Sequence, residues 1–121
     1  PRLFSFLHDR AFEALPHRIL DYLYLGDYSA AQNPALEKMG ITAIVNASGD
    51  FQNSFDKNPN FAYLNIDVWD SPSADISQFF WKTIEFVDEH RKSQKKILIH
   101  CAGKEQHGCM LFLILFSTLS F

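Results

Sequence analysis

The spacing of apolar residues changes several times along the chain, and each change marks an element. In "LFSFLHDRAFEAL", residues 3 to 15, Leu3, Phe4, Leu7, Phe12 and Leu15 fall near helical spacing, and Pro16 follows as a stop. Residues 1–16 are therefore expected to form an N-terminal helical extension to a domain over 17–121. "RILDYLYLG" reads as two short strands or a hairpin closing at Gly26, and "SAAQNPALEKMG" as a helix with Gly40 as its C-terminal signal. "ITAIVNAS" is a continuous apolar run of the kind a strand shows when buried on both faces. A turn-rich loop, "GDFQNSFDKNPN", leads to a second such strand, "FAYLNIDV".

The helix after "DSPSAD" is the clearest element. Ile76, Phe79, Phe80, Ile84 and Val87 fall on one face, and Asp and Ser stand ahead of them as caps. Arg91, Lys92, Lys95 and Lys96 gather at its C-terminal end, where positive charge suits the helix dipole. "KILIH" follows as another buried strand, then a polar loop, then an apolar tail. Strands alternating with helices predict an α/β fold, with a central mostly parallel sheet flanked by helices. Sites in such sheets form at the carboxyl ends of strands, where His100 and Cys101 stand.

Composition narrows the class. A chain of 121 residues makes one domain, and 47% hydrophobic with twelve Phe argues against disorder. A formal charge of −3 gives no reason to expect nucleic acid or an anionic membrane as partner. The two cysteines, Cys101 and Cys109, make no disulfide framework, so a reduced cytoplasmic or nuclear setting is expected. The chain shows no charged-then-apolar leader. Its terminal "CMLFLILFSTLSF", 13 residues without a charge, is too short to span a bilayer comfortably and reads as a buried helix.

The polar loop in "ILIHCAGKEQHG", residues 97 to 108, carries the candidate chemistry. With strand, loop and helix in that order, Cys101 sits at a helix N-terminus, facing backbone N–H groups that bind phosphate and lower a thiol pKa. Its thiolate can attack phosphorus if a second group protonates the leaving oxygen, and Asp70 lies in the right kind of loop to do so. Each residue also has a plainer reading. Cys101 can be a small buried hydrophobe, Asp70 a turn or cap residue, and His100 a satisfied core histidine.

Over residues 17 to 103, "RILDYLYLGDYSAAQNPALEKMGITAIVNAS" and "FAYLNIDVWDSPSADISQFFWKTIEFVDEHRKSQKKILIHC" together resemble a dual-specificity protein phosphatase domain, closest to the MAP kinase phosphatase group. The resemblance implies that family's shallow-pocket fold and a roughly fixed set of roles. Asp70 matches the general acid, Cys101 the nucleophile, and His100 the histidine that orders the loop and tunes the thiolate. No cofactor or metal is expected. The partner is expected to be a phosphoprotein substrate or a protein kinase.

The phosphate-binding loop, Ala102, Gly103, Lys104, Glu105, Gln106 and His107, departs from the family pattern of His-Cys, five residues, Arg, then Ser or Thr. His107 stands at the arginine position, Gly108 at the hydroxyl position, and Lys104 where a glycine belongs. Histidine is shorter than arginine, monodentate and only partly charged at neutral pH. Losing one preorganised donor of this type costs roughly 3–4 kcal/mol, about 10² to 10³ in rate. A Lys at positive φ costs about 1–2 kcal/mol more, and Glu105 puts negative charge where a phosphate dianion should sit.

The departure starts after Gly103 and runs to Phe121, short of the further helices that family members carry. Read one base later, the codons of Lys104–His107 and the two residues after them can spell "RSSTAV", an arginine-and-hydroxyl sequence like that of the family. That arginine would stand too close to Cys101, so a frame change would also need missing bases. The expectation is a shifted frame over 104–121; the alternative is a diverged but genuine end. Three functions follow. One is a dual-specificity phosphatase impaired by its loop, and the second is an inactive pseudophosphatase that binds proteins. The weakest is a redox pair of Cys101 and Cys109.

Overall fold

The computed structural model describes residues 15–48, 52–66 and 76–100, with the side chains of residues 76–78 left aside. The expected N-terminal helix, the loop after Cys101 and the apolar tail lie outside the described residues. So do Asp70 and the caps ahead of the long helix.

Strands β1 (His17–Leu20) and β2 (Leu23–Gly26) form the expected hairpin and pair antiparallel. Strands β3 (Ile41–Asn46), β4 (Ala62–Asn65) and β5 (Lys96–His100) complete a five-stranded sheet in the order β1-β2-β5-β3-β4. Every pairing except β1 with β2 is parallel. The last strand in sequence, β5, thus lies at the centre. Ile97, Leu98 and Ile99 of this strand are fully buried, each removal from water contributing roughly 1.5–3 kcal/mol.

Successive residues feed opposite faces of the sheet. Leu23, Ala43, Val45, Ile97 and Ile99 pack with Phe80 and Val87 of helix α3 (Ile76–Lys92). Tyr24, Ile44 and Leu98 pack on the other side with Ala31 and Leu36. The register between β3 and β5 slips by one residue between Ile41 and Ala43, and the slip brings Ile41 onto the face of Ile44. Both faces are covered, which is why the central strands read as unbroken apolar runs.

The face opposite α3 differs from the expected single helix over residues 29–40. Two four-residue helices, α1 (Tyr28–Ala31) and α2 (Ala35–Lys38), stand there instead. The break falls at Asn33-Pro34. Proline has no N–H to continue the first helix, and the Asn33 side chain accepts from the Ala35 N–H at 2.9 Å to start the second. Gly40 ends α2 with φ +83°, a conformation that costs a side chain with Cβ, so its reading as a stop holds. Gly26 is required for a steric reason instead. A Cβ there would come 2.8 Å from the Ala30 Cβ, so its absence lets α1 lie close on the sheet.

Strand β4 also differs from the reading. It is an edge strand, half-buried and ending exposed at Asn65, rather than buried on both faces. Its apolar look comes instead from Phe61 and Tyr63: the Phe61 ring stacks on Phe55 of the preceding loop at 4.7 Å and on Tyr63 at 6.4 Å. Helix α3 follows its predicted face. Phe80 and Val87 are buried, while Phe79 and Ile84 pack beside them. Its terminal Arg91 and Lys92 both reach Asp88, at 2.6 and 2.9 Å, and these bonds, Lys92 first, hold the Asp88 carboxyl below its ordinary value.

Candidate active site at the carboxyl ends of the strands

The four parallel strands end in one row. Gly26 lies opposite His100, His100 opposite Asn46, and Asn46 opposite Asn65. Of the residues proposed from sequence, the structure places His100, at the end of the central strand. Cys101, Asp70 and the loop Ala102–His107 lie outside the described residues. The peptide chain nonetheless ties Cys101 directly to His100, and the strand leading toward Asp70 ends in the same row.

His100 is 1% exposed. Strand alternation puts it on the face of Leu98, under α1, where its ring lies 6.1 Å from that of Tyr28 at a 37° tilt. An imidazole in this position is held by packing from below and beside. The peptide that follows it is fixed too, because the His100 carbonyl accepts from the Ala47 N–H at 2.8 Å.

Beside it lies a buried polar turn that the apolar character of "ITAIVNAS" conceals. Asn46 and Ser48 are both buried. The Asn46 side-chain carbonyl accepts from the Ser48 hydroxyl at 2.6 Å and from the Ser48 N–H at 3.0 Å. Its amide donates to Asn53 Oδ1 at 2.8 Å. The backbone carbonyl of Asn46 accepts from the Ile66 N–H at 2.9 Å. The sequence does carry a signal for it: an Asn and a Ser closing an otherwise apolar strand must find partners once buried. Among the described residues, no three His, Cys, Asp or Glu side chains gather as a metal site, and no helix is long and apolar enough to cross a membrane.

His100 is thus buried at the carboxyl end of the central strand, directly ahead of Cys101 in the chain. The family model described as "Dual specificity phosphatase, catalytic domain" matches residues 23–111. The chain belongs to this family.

Human dual specificity protein phosphatase 4 is 37% identical over 113 residues, which is 90% of this chain and 27% of the relative. Dual specificity protein phosphatase 1-A of Xenopus laevis is 40% identical over 103 residues, 82% of this chain and 27% of that one. The chain thus spans about a quarter of the length of these relatives, 27% in each case. Among solved structures, the human tyrosine phosphatase-like serine/threonine/tyrosine-interacting protein superposes with a TM-score of 0.72 at 30% identity, covering 89% of this chain and 75% of its own. The family's phosphatase fold is therefore the frame in which His100 and the Asn46–Ser48 turn stand.

Proposed function

We infer that this dual-specificity phosphatase domain acts on phosphotyrosine and phosphoserine/threonine in proteins, with turnover held low by its altered loop. The observation that carries this reading is the fully buried His100 at the end of β5, covalently followed by Cys101, in a chain of this family. Cys101 as thiolate attacks phosphorus, forming an S–P bond as the P–O ester bond breaks, and Asp70 gives the leaving oxygen its proton. Water then attacks phosphorus and gives a proton to the Asp70 carboxylate, the S–P bond breaks to restore the Cys101 thiolate, and inorganic phosphate leaves. His107 in place of the loop arginine supplies a weaker, monodentate grip on the phosphoryl oxygens in both steps.

Hydrolysis of an aryl phosphate by the wild-type chain and by Cys101→Ser tests the reading. Slow turnover that disappears with Cys101→Ser is expected; equal rates in the two proteins overturn it.

The second reading, a non-catalytic protein-binding module, is favoured by the loop itself, where Lys104, Glu105, His107 and Gly108 all depart from the family pattern. The similarity to a solved protein described as tyrosine phosphatase-like and serine/threonine/tyrosine-interacting supports it as well. No turnover, together with retained binding of a phosphoprotein or protein kinase, is its expected signature. A reduced cytoplasmic or nuclear setting suits either reading, because both keep Cys101 as a free thiol.

A further inference from the structure

The turn that closes β3 carries a second signal, which the phosphatase reading leaves unused. Asn46-Ala47-Ser48 is an Asn-x-Ser sequence, the acceptor pattern for N-linked glycan transfer. No other Asn-x-Ser or Asn-x-Thr occurs in the 121 residues. In a secreted protein such a sequence stands in a surface loop, where the amide nitrogen is free to carry the sugar. Here neither end of it is free.

Transfer needs the Asn amide nitrogen, which bonds to the first sugar, and the Ser hydroxyl, which the transferase reads. Asn46 and Ser48 are each 4% exposed. Asn46 Nδ2 donates to Asn53 Oδ1 at 2.8 Å, and the Ser48 hydroxyl donates to Asn46 Oδ1 at 2.6 Å. The backbone is held as well: Asn46 lies in register between His100 and Asn65, and the Ala47 N–H donates to the His100 carbonyl at 2.8 Å. A sugar on Nδ2 would displace Asn53 and would need a path to solvent that the burial of Asn46 does not leave. Buried polar groups are costly to leave unpaired, so the turn does not open to admit one. The folded chain therefore keeps the acceptor out of reach, and a chain that already carries the glycan cannot seat Asn46 at the strand end.

We infer that Asn46-Ala47-Ser48 acts as a compartment filter: the domain reaches its fold only where N-glycans are not transferred. In that transfer Asn46 Nδ2 would bond to C1 of the first sugar. The bond from C1 to the pyrophosphate of a lipid-linked donor would break, and the amide would lose a proton to the transferase. The filter rests on the geometry of Asn46 alone. On the phosphatase reading it also limits the substrates, to phosphoproteins exposed on the same side of the membrane as the folded domain.

The test follows glycan and fold rather than turnover, so it stands whether or not the domain is a working phosphatase. The full chain is expressed in cultured animal cells with and without a cleavable secretory leader, in a Cys101→Ser, Cys109→Ser background that removes thiol oxidation. The leaderless chain is expected to carry no glycan and to melt cooperatively. The leader-directed chain is expected to gain the mass of one glycan, removable by peptide N-glycosidase, and to be retained unfolded in the cell. Ser48→Ala is expected to abolish the mass shift and restore secretion of folded chain. Should leaderless Ser48→Ala itself fail to melt cooperatively, tunicamycin treatment of cells making the parent chain blocks the glycan instead, with the same expected recovery. Secretion of a chain glycosylated at Asn46 with the leaderless melting midpoint overturns the inference. So does secretion of a folded parent chain without a glycan, or retention that persists once the glycan is blocked.

Discussion

At the scale of single residues, the end of helix α3 shows how conformation and charge leave measurable marks. The helix stops in a Schellman arrangement: Lys95 N–H donates to the His90 carbonyl and Gln94 N–H to that of Arg91, each at 3.0 Å. Gln94 occupies the left-handed position, φ +67°, where glycine is the unstrained choice. Gln94→Gly should stabilise the domain by about 1 kcal/mol, read as a rise of a few degrees in thermal midpoint. His90, one turn earlier, is buried with its ring 4.4 Å from that of Phe86, and its Nδ1 has no hydrogen-bond partner among the described residues. Burial pulls its pKa below the ordinary 6.5; Glu89 opposes this and Lys95 adds to it. The folded chain thus keeps His90 neutral at pH values where the unfolded chain is protonated. This contribution is fully present above about pH 6.5 and is lost as pH falls from there through the lower folded-state pKa. Urea titrations from pH 7.5 to 5 should show stability falling with acidification, and less steeply in His90→Gln.

At the scale of elements, what was legible depended on whether local pattern or the neighbouring structure decided the outcome. The hairpin, β3, α3 and β5 were readable because each carries an apolar period long enough to match one geometry. The two short helices were not, because Asn33-Pro34 breaks a segment whose flanks both look helical, and four-residue helices have no period to detect. The position of β4 at the sheet edge was hidden for another reason: strand order is set by which faces pack, and Phe61 just ahead of β4 and Tyr63 within it contact Phe55 of the loop. Because α2 is so short, it holds to the sheet mainly through Leu36, fully buried among Ile41, Ile44 and Leu98. Leu36→Ala should therefore cost about 2–5 kcal/mol in urea unfolding. Lys82→Ala, on the exposed side of α3, should stay within about 0.5 kcal/mol.

At the scale of the molecule, the domain sets a sound scaffold against an altered loop. The phosphatase fold was legible from ordered motifs, and the place of His100 from the run of β5 into "HC". The bonding of the Asn46–Ser48 turn was not legible, since nothing in an Asn or Ser reveals that its partners lie across a strand end or seven residues downstream. The scaffold spans the central strands and α3, with β3 and β5 buried on both sides. If catalysis is limited by the loop alone, restoring the missing groups should recover it. His107→Arg returns a bidentate, permanently charged donor, and Gly108→Ser a hydroxyl at the position the family pattern gives one. Together they should raise aryl phosphate turnover by about 10² to 10³, the size expected for one preorganised donor. The gain should vanish again on adding Cys101→Ser, which separates restored chemistry from a contaminant. A double variant that stays folded and gains nothing would place the defect beyond those two residues, in Lys104 and Glu105 or in the segment after them, and would favour the binding-module reading.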